Sequence, residues 1–268
     1  MIRKIGIFLF FFIFFISTKV FPNTDQDVTK IYIAGIPKCG THLLQKVVFI
    51  LNNNSFENIE QYPHPDNFER DYTYFRDHTE AKFVLIIRDP RDALVSAYDY
   101  VWDNPINDQN ENKYNYWHKP LRNNPDYPYM TKQQRLSEMI KMGKKNLLIG
   151  STKIHTGYRV AAKTQYLKNV LIVRFEDLIG TFAGGDDAVR HETIKEIAKF
   201  LSLPESNVDL ACHKSWGGED QHGYKTFSKG VAGRWKENFD KQNIKDIKTH
   251  GWWNLFITSF GYESDAGW

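Results

Sequence analysis

The sequence predicts an α/β fold: a central, mostly parallel sheet flanked by helices, in a chain long enough for one domain or two small ones. Three observations predict it. The segment Ile31–Leu44 (I-Y-I-A-G-I-P-K-C-G-T-H-L-L) reads as a strand, a glycine-bearing turn and a helix start. Two short apolar runs, Phe83–Ile87 and Val170–Val173, are bounded by polar residues, the pattern of strands buried on both faces of a parallel sheet. Helical periodicity follows these segments, and alternation of strand and helix places helices on both faces of one sheet.

Taken in order, Ile31–Ile33 starts a strand and Thr41–Leu51 is an apolar-periodic helix. Pro90–Trp102 is a helix that Asp89 can cap, with Pro90 in its first turn. Gln133–Leu148 and Tyr158–Leu167 carry weaker helical patterns. Ile194, Ile197, Ala198 and Leu201 repeat at helical spacing, so His191–Leu203 reads as an amphipathic helix stopped by Pro204. Asp103–Met130 is rich in Asn, Pro, Tyr and Trp and has little periodicity. Its aromatics (Tyr114, Tyr116, Trp117, Tyr127, Tyr129) suit a lid over an acceptor pocket or a surface insertion packed on itself.

The N-terminus is of another kind. Met1–Lys4 carries two positive charges, and Ile5–Ile16 is an unbroken apolar run that trails off through Val20 and Phe21. Residues 1–22 read as a signal peptide or an uncleaved signal anchor, with a buried N-terminal helix as the plainer alternative; residues 28–268 form the folded domain. Counted as Ile5–Phe21, the run only just reaches the roughly 17–25 residues a membrane span needs. The positive flank predicts a body on the non-cytoplasmic side, in the secretory pathway or attached to a membrane. A cytoplasmic location is the alternative.

Composition excludes some classes. Of 268 residues, 41% are hydrophobic and 25% charged, and the net charge of +3 is spread without a basic tail or basic-aromatic stripe, so bulk nucleic-acid binding is not expected. The two cysteines, Cys39 and Cys212, build neither a disulfide framework nor a zinc pattern, and no metal site is expected.

Chemistry concentrates in three segments. In the first, Gly35 and Gly40 have the spacing of an NTP-binding loop and Thr41 follows, but the lysine is at 38, before the second glycine. With Asp89 explained as a helix cap, no carboxylate stands out as a magnesium ligand. A phosphoryl-transfer enzyme without the metal lacks its main charge clamp. The loop therefore suits a nucleotide whose terminal group is not a triphosphate. The second segment is R-D-P-R-D-A-L-V-S, Arg88–Ser96. Arg88 leaves a buried strand, and its guanidinium can fold along the first helical turn to share a phosphate with the Ser96 hydroxyl. The third is F-S-K-G-V-A-G-R-W-K-E-N-F, Phe227–Phe239, with glycines, aromatics and cations in one loop–helix transition.

In this order the three segments resemble the sulfotransferases that use 3′-phosphoadenosine 5′-phosphosulfate (PAPS). The resemblance runs from about Lys30 to Phe239 and implies a single α/β domain, its central mostly parallel sheet flanked by helices around a P-loop-like nucleotide-binding core. It implies that Lys38, Cys39, Gly40, Thr41 and His42 bind the 5′-phosphosulfate. Arg88 and Ser96, with Phe227, Ser228, Lys229 and Gly230, would hold the 3′-phosphate side. Val170–Leu178 is similar to the family's strand ending in Y-E-D, with Phe175 at the stacking position. Cys39, Leu43, Phe175 and Ser228 replace the family's usual serine, tryptophan, tyrosine and arginine. The implied reaction moves a sulfuryl group from PAPS, as co-substrate, to a hydroxyl or amine of a small-molecule, lipid or glycan acceptor. Lys38 then acts on the transferred group. His64, in Tyr62-Pro63-His64-Pro65, lies 24 residues before Arg88, where soluble members carry a histidine base. His78, His155, Glu57 and Glu60 are the other candidates. A P-loop nucleotide kinase and a non-catalytic nucleotide-binding protein of the same fold are the competing classes.

Overall fold

The computed structural model describes residues 29–102, 126, 129–142, 149–215, 230–250 and 252–268. The N-terminal apolar run, most of Asp103–Met130 and Phe227–Lys229 lie outside the described residues. Among the described residues no helix is long and apolar enough to cross a membrane.

Four parallel strands form the sheet in the order β2-β1-β3-β4: β1 Ile31–Gly35, β2 Ile59–Gln61, β3 Lys82–Ile87 and β4 Val170–Arg174. Alternation divides β1, β3 and β4 between two cores. Tyr32, Ala34, Phe83, Leu85 and Ile87 face one side, packed beneath α2 (Phe68–Asp77), α3 (Pro90–Trp102), α4 (Lys132–Met142), α5 (Ile149–Thr164), α9 (Lys241–Thr249) and α10 (Trp252–Ser259). Ile31, Ile33, Val84, Ile86 and Val173 face the other, under α1 (Thr41–Leu51), α6 (Asp187–Leu201) and α7 (Val208–Lys214). A short α8, Trp235–Asn238, follows the third motif.

The expected helices at Thr41–Leu51 and Pro90–Trp102 form with those bounds. Asp89 caps the second: its Oδ1 accepts the Arg91 N–H at 2.9 Å. The helix expected at His191–Leu203 begins earlier, at Asp187, because the Asp186 side chain accepts the N–H groups of Ala188 and Val189. The segment expected at Tyr158–Leu167 lies further back, at Ile149–Thr164, and the described helix in Gln133–Leu148 is Lys132–Met142.

From β1 the chain crosses to β2 on one side; from β3 it crosses to β4 on the other. The order therefore reverses between β1 and β3, and ligands of such sheets bind outside the carboxyl ends of the strands at that point. Gly35 pairs with Ile86 in the ladder, so the loops after β1 and β3 leave the sheet side by side.

Candidate active site

The loop after β1 is shaped by close approach. A Cβ on Gly35 would lie 2.1 Å from Thr41 Oγ1, so only glycine lets α1 start this near the strand end. Gly40 is the N-cap of α1 in the left-handed conformation, φ 94°, and makes no side-chain cap. The first intrahelical bond runs from Leu44 N–H to the Gly40 carbonyl at 3.2 Å. The N–H groups of Thr41, His42 and Leu43 therefore have no acceptor within the helix, the arrangement that attracts an anion. Lys38 also takes a left-handed φ, 69°, and its ammonium lies 3.9 Å from the centroid of the Tyr100 ring on α3.

Cys39 does not fit the ligand role expected of it. Its side chain is fully buried, with Sγ 3.7 Å from the Tyr158 hydroxyl, and its N–H is taken by the Ile36 carbonyl at 3.1 Å. Burial pushes the thiol up to about 12. Neither the thiol nor the amide of this residue is free for an anion, and its part is to anchor the loop to α5. There Gly157 lies against Ile36, and the Tyr158 hydroxyl donates to the Arg88 carbonyl.

His64 stands beside the loop. Its Nδ1 is 2.5 Å from the Gly35 carbonyl. A ring nitrogen facing a carbonyl carries the proton, which leaves Nε2 as the acceptor. The residue is exposed, yet the protein packed around its ring lowers its pKa by desolvation; the nearby charges of Lys153 and His42 act in the same direction, against the Gly35 hydrogen bond and Asp66. Lys153 reaches Asp66 at 2.6 Å, which ties α5 to the turn carrying His64. His42 is exposed, with Nδ1 3.0 Å from Gln45 Oε1; Gln45 in turn donates to Gln61 at the end of β2. His78 closes α2 at the amino end of β3, its ring stacked on Tyr74 at 3.9 Å. His155 packs against Trp253 and Phe256 on α10, and burial lowers it to about 4.

Across the switch point, Arg88 is 5% exposed. Its Nη2 donates to the Val231 carbonyl at 2.7 Å and lies 3.6 Å from Asp92. Its guanidinium covers the Phe175 ring at 4.4 Å, and its Nε is buried without an acceptor. Phe175, expected as a stacking surface, is itself buried; its Cδ2 would be 2.6 Å from a Cβ on Gly40. It wedges between the β1 loop and Arg88. Ser96 is buried two turns along α3. Glu176 accepts the Asp89 N–H at 2.9 Å and the Tyr262 hydroxyl at 3.3 Å, and burial raises it to about 7 against the pull of Arg88. Gly230 takes φ 62° at the start of the described part of the third motif. Among the described residues no group of His, Cys, Asp and Glu is arranged to hold a metal ion. The Asp89 carboxylate is committed to Arg91 in a bidentate pair, 2.6 Å at the shortest.

The fold and site together define an α/β protein with an anion-binding loop and a buried arginine at the switch point of a parallel sheet. A family model described as a sulfotransferase domain matches residues 73–250, about two thirds of the chain, and the chain belongs to that family. The crystal structure of mouse sulfotransferase SULT7A1 complexed with PAP is similar with a TM-score of 0.55 at 17% identity, over 90% of this chain and 86% of that one. Retinol dehydratase in complex with androsterone and inactive cofactor PAP gives 0.49 at 16%, over 85% and 80%. The first likeness establishes the sulfotransferase fold. No curated protein matches the sequence.

Sequence reasoning missed β2, α2, α7, α9 and α10, and it missed Tyr158, Phe175's wedge, Asp92 and Tyr262 as parts of the site. Asp92 was in view as part of R-D-P-R-D; its signal was a second acid one turn after Arg88. Tyr158 and Tyr262 have no local signal, because their roles arise from contacts with residues far away in the chain.

Proposed function

We propose that this protein transfers a sulfuryl group from PAPS to a hydroxyl or amine by in-line displacement, with His64 as the general base. The observation that supports this most directly is the hydrogen bond between His64 Nδ1 and the Gly35 carbonyl, which ties the base to the loop that would hold the 5′-phosphosulfate. The residues present fit the nucleotide: the helix start, capped by no side chain, directs its first N–H groups toward the loop, and Arg88 Nε is a buried donor lacking an acceptor. PAPS supplies the activated sulfuryl group. The chain supplies the rest. Neutral His64 takes the acceptor proton at Nε2. The Lys38 ammonium and the Gly40–Thr41 N–H groups meet the charge that builds on the transferred and leaving oxygens. Arg88, Lys229 and Gly230 would hold the 3′-phosphate.

The acceptor is a small molecule, lipid or glycan, and residues 1–22 would deliver or anchor the domain on the non-cytoplasmic side. Release of 3′,5′-diphosphoadenosine from PAPS in the presence of an acceptor pool tests the reaction. The wild type should turn over without Mg²⁺, and His64→Ala should lose that turnover. Retention by His64→Ala with loss in His78→Ala would move the base to His78. Tight Mg²⁺–ATP binding with no response to the diphosphate would overturn the reading.

A further inference from the structure

The second and third motifs meet through one buried carboxylate. Asp92, in the first turn of α3, is 1% exposed. Its Oδ2 accepts the Gly233 N–H at 2.7 Å and its Oδ1 the Trp235 N–H at 2.8 Å. One turn earlier, Arg88 donates to the carbonyl of Val231 at 2.7 Å and stands 3.6 Å from Asp92 Oδ2. Two charged residues, one just before α3 and one in its first turn, thus grip three of the five positions from Val231 to Trp235.

A carboxylate is buried only where donors replace its water. Both Asp92 oxygens are satisfied by backbone N–H groups of the loop, so the charge is spent on where that loop sits. Gly233 takes a left-handed φ of 78°, which turns the backbone between the two donors. The same loop, through Val231, fixes Arg88. With Phe175 on the guanidinium face, the one Arg88 donor left buried without an acceptor is Nε.

We propose that Asp92 is a positioning residue for recognition of the nucleotide's 3′-phosphate: by clamping Val231–Trp235 it sets the orientation of Arg88 and of the Gly230 backbone together. The proposal rests on the PAPS reading above. Asp92 bonds to the third motif and pairs with Arg88, whereas the donors of the β1 loop come from α1, so its effect falls on one end of the nucleotide and not on both.

The test is calorimetric titration of the full chain with two probes that differ in one group, 3′,5′-diphosphoadenosine and adenosine 5′-monophosphate. In Asp92→Asn, one acceptor survives, but the amide presents N–H to a backbone N–H. Affinity for the diphosphate should fall at least tenfold, while affinity for the monophosphate stays within twofold. Asp92→Glu, which keeps the charge one methylene out of place, should show a smaller loss with the same selectivity, and it carries the test if the asparagine variant does not fold. Equal losses for both probes, or an unchanged ratio in a folded variant, would overturn the proposal and leave the cofactor reading intact. A wild type that does not prefer the diphosphate overturns the cofactor reading, and this proposal with it.

Discussion

The β1 loop and the bracket on the first turn of α3 present anion donors at the same switch point, but they are built in different ways. The loop comes from one stretch, Gly35 to Leu44, and its donors are backbone groups fixed by two glycines and a helix start. The bracket is assembled from four separate stretches: Arg88–Asp92, Phe175–Glu176, Val231–Trp235 and Tyr262–Trp268. Four of its members, Arg88, Asp89, Arg91 and Asp92, are buried ions. Arg91 lies between the Trp235 and Trp268 rings, 3.8 and 4.4 Å from their centroids, and pairs with both Asp89 and Glu263 at 2.6 Å. A locally encoded site can be damaged without unfolding the protein. A site made of buried ions is part of the core, and its loss is a loss of stability.

The sharpest way to break this distinction is to remove one charge from each half. Arg91→Met leaves Asp89 and Glu263 without their cation. Uncompensated buried charge typically costs about 3–5 kcal/mol, so urea unfolding should show a loss of that size. Lys38→Ala should leave the urea midpoint almost unchanged. Its effect belongs to the rate, a fall of about 100- to 1000-fold, as when one transition-state donor is removed. If Arg91→Met unfolds like the wild type, the bracket is not part of the core and the distinction fails.

The two halves touch where Phe175 meets Gly40. Gly40→Ala must hold φ 94° with a side chain and push against the Phe175 ring 2.6 Å away. The conformation alone costs roughly 1–2 kcal/mol, and the clash adds to it. Phe175→Leu should relieve part of the clash. In a double-mutant cycle on unfolding free energy the pair should couple by about 1 kcal/mol or more. Additivity would mean that the halves are independent.

What was legible in the sequence follows the same division. The strand–loop–helix of the β1 half was readable in order, with the strand start at Ile31 and the helix at Thr41–Leu51, although Gly35 read as part of the turn and ends the strand. Arg88 was readable as a residue but not in its setting. That its guanidinium would lie on Phe175 and bond Val231, and that Glu176 would receive the Asp89 N–H, depends on strand order, which periodicity does not encode. β2 escaped because three residues, Ile59–Gln61, half-buried and exposed, leave no alternating pattern. α9 escaped because its apolar face is short and set among lysines, although it carries a capping box, Asp240 with Asn243, and α10 escaped because eight mostly apolar residues, W-W-N-L-F-I-T-S, show no helical period.

His64 stands beside the local half and is tuned by its own surroundings, Gly35, His42, Lys153 and Asp66, and not by the bracket. Its pKa is lowered, so the neutral, base-competent form persists below the ordinary histidine value near 6.5. Turnover should hold its plateau as pH falls through 6.5 and decline only below it. Lys153 is one of the charges that lowers it. Lys153→Met removes that charge and releases Asp66, and both changes favour the imidazolium. The acid limb of the rate profile should therefore move to higher pH, while Asp66→Asn should move it lower. A limb that ignores both variants would remove His64 from the reaction.

The smallest effect is expected where the sequence departs most visibly from the family pattern. Cys39 stands at the position of the family's loop serine, yet its thiol points to Tyr158 and Pro37, 3.7 Å from each polar atom, and not to the anion side of the loop. Cys39→Ser places a hydroxyl of similar size among the same two partners. It exchanges a weak sulfur contact for an ordinary hydrogen bond and takes on a larger desolvation cost, so stability should change by no more than about 1 kcal/mol. Because neither side chain faces the nucleotide, affinity for 3′,5′-diphosphoadenosine should stay within twofold. Burial also raises the thiol to about 12, so a thiol-reactive disulfide reagent at pH 8 should modify native Cys39 far more slowly than the same residue in urea. A tenfold gain in affinity from the serine would mean that the side chain turns toward the ligand when it binds. The β1 half would then not be preformed, and the contrast between a ready-made loop and an assembled bracket would have to be given up.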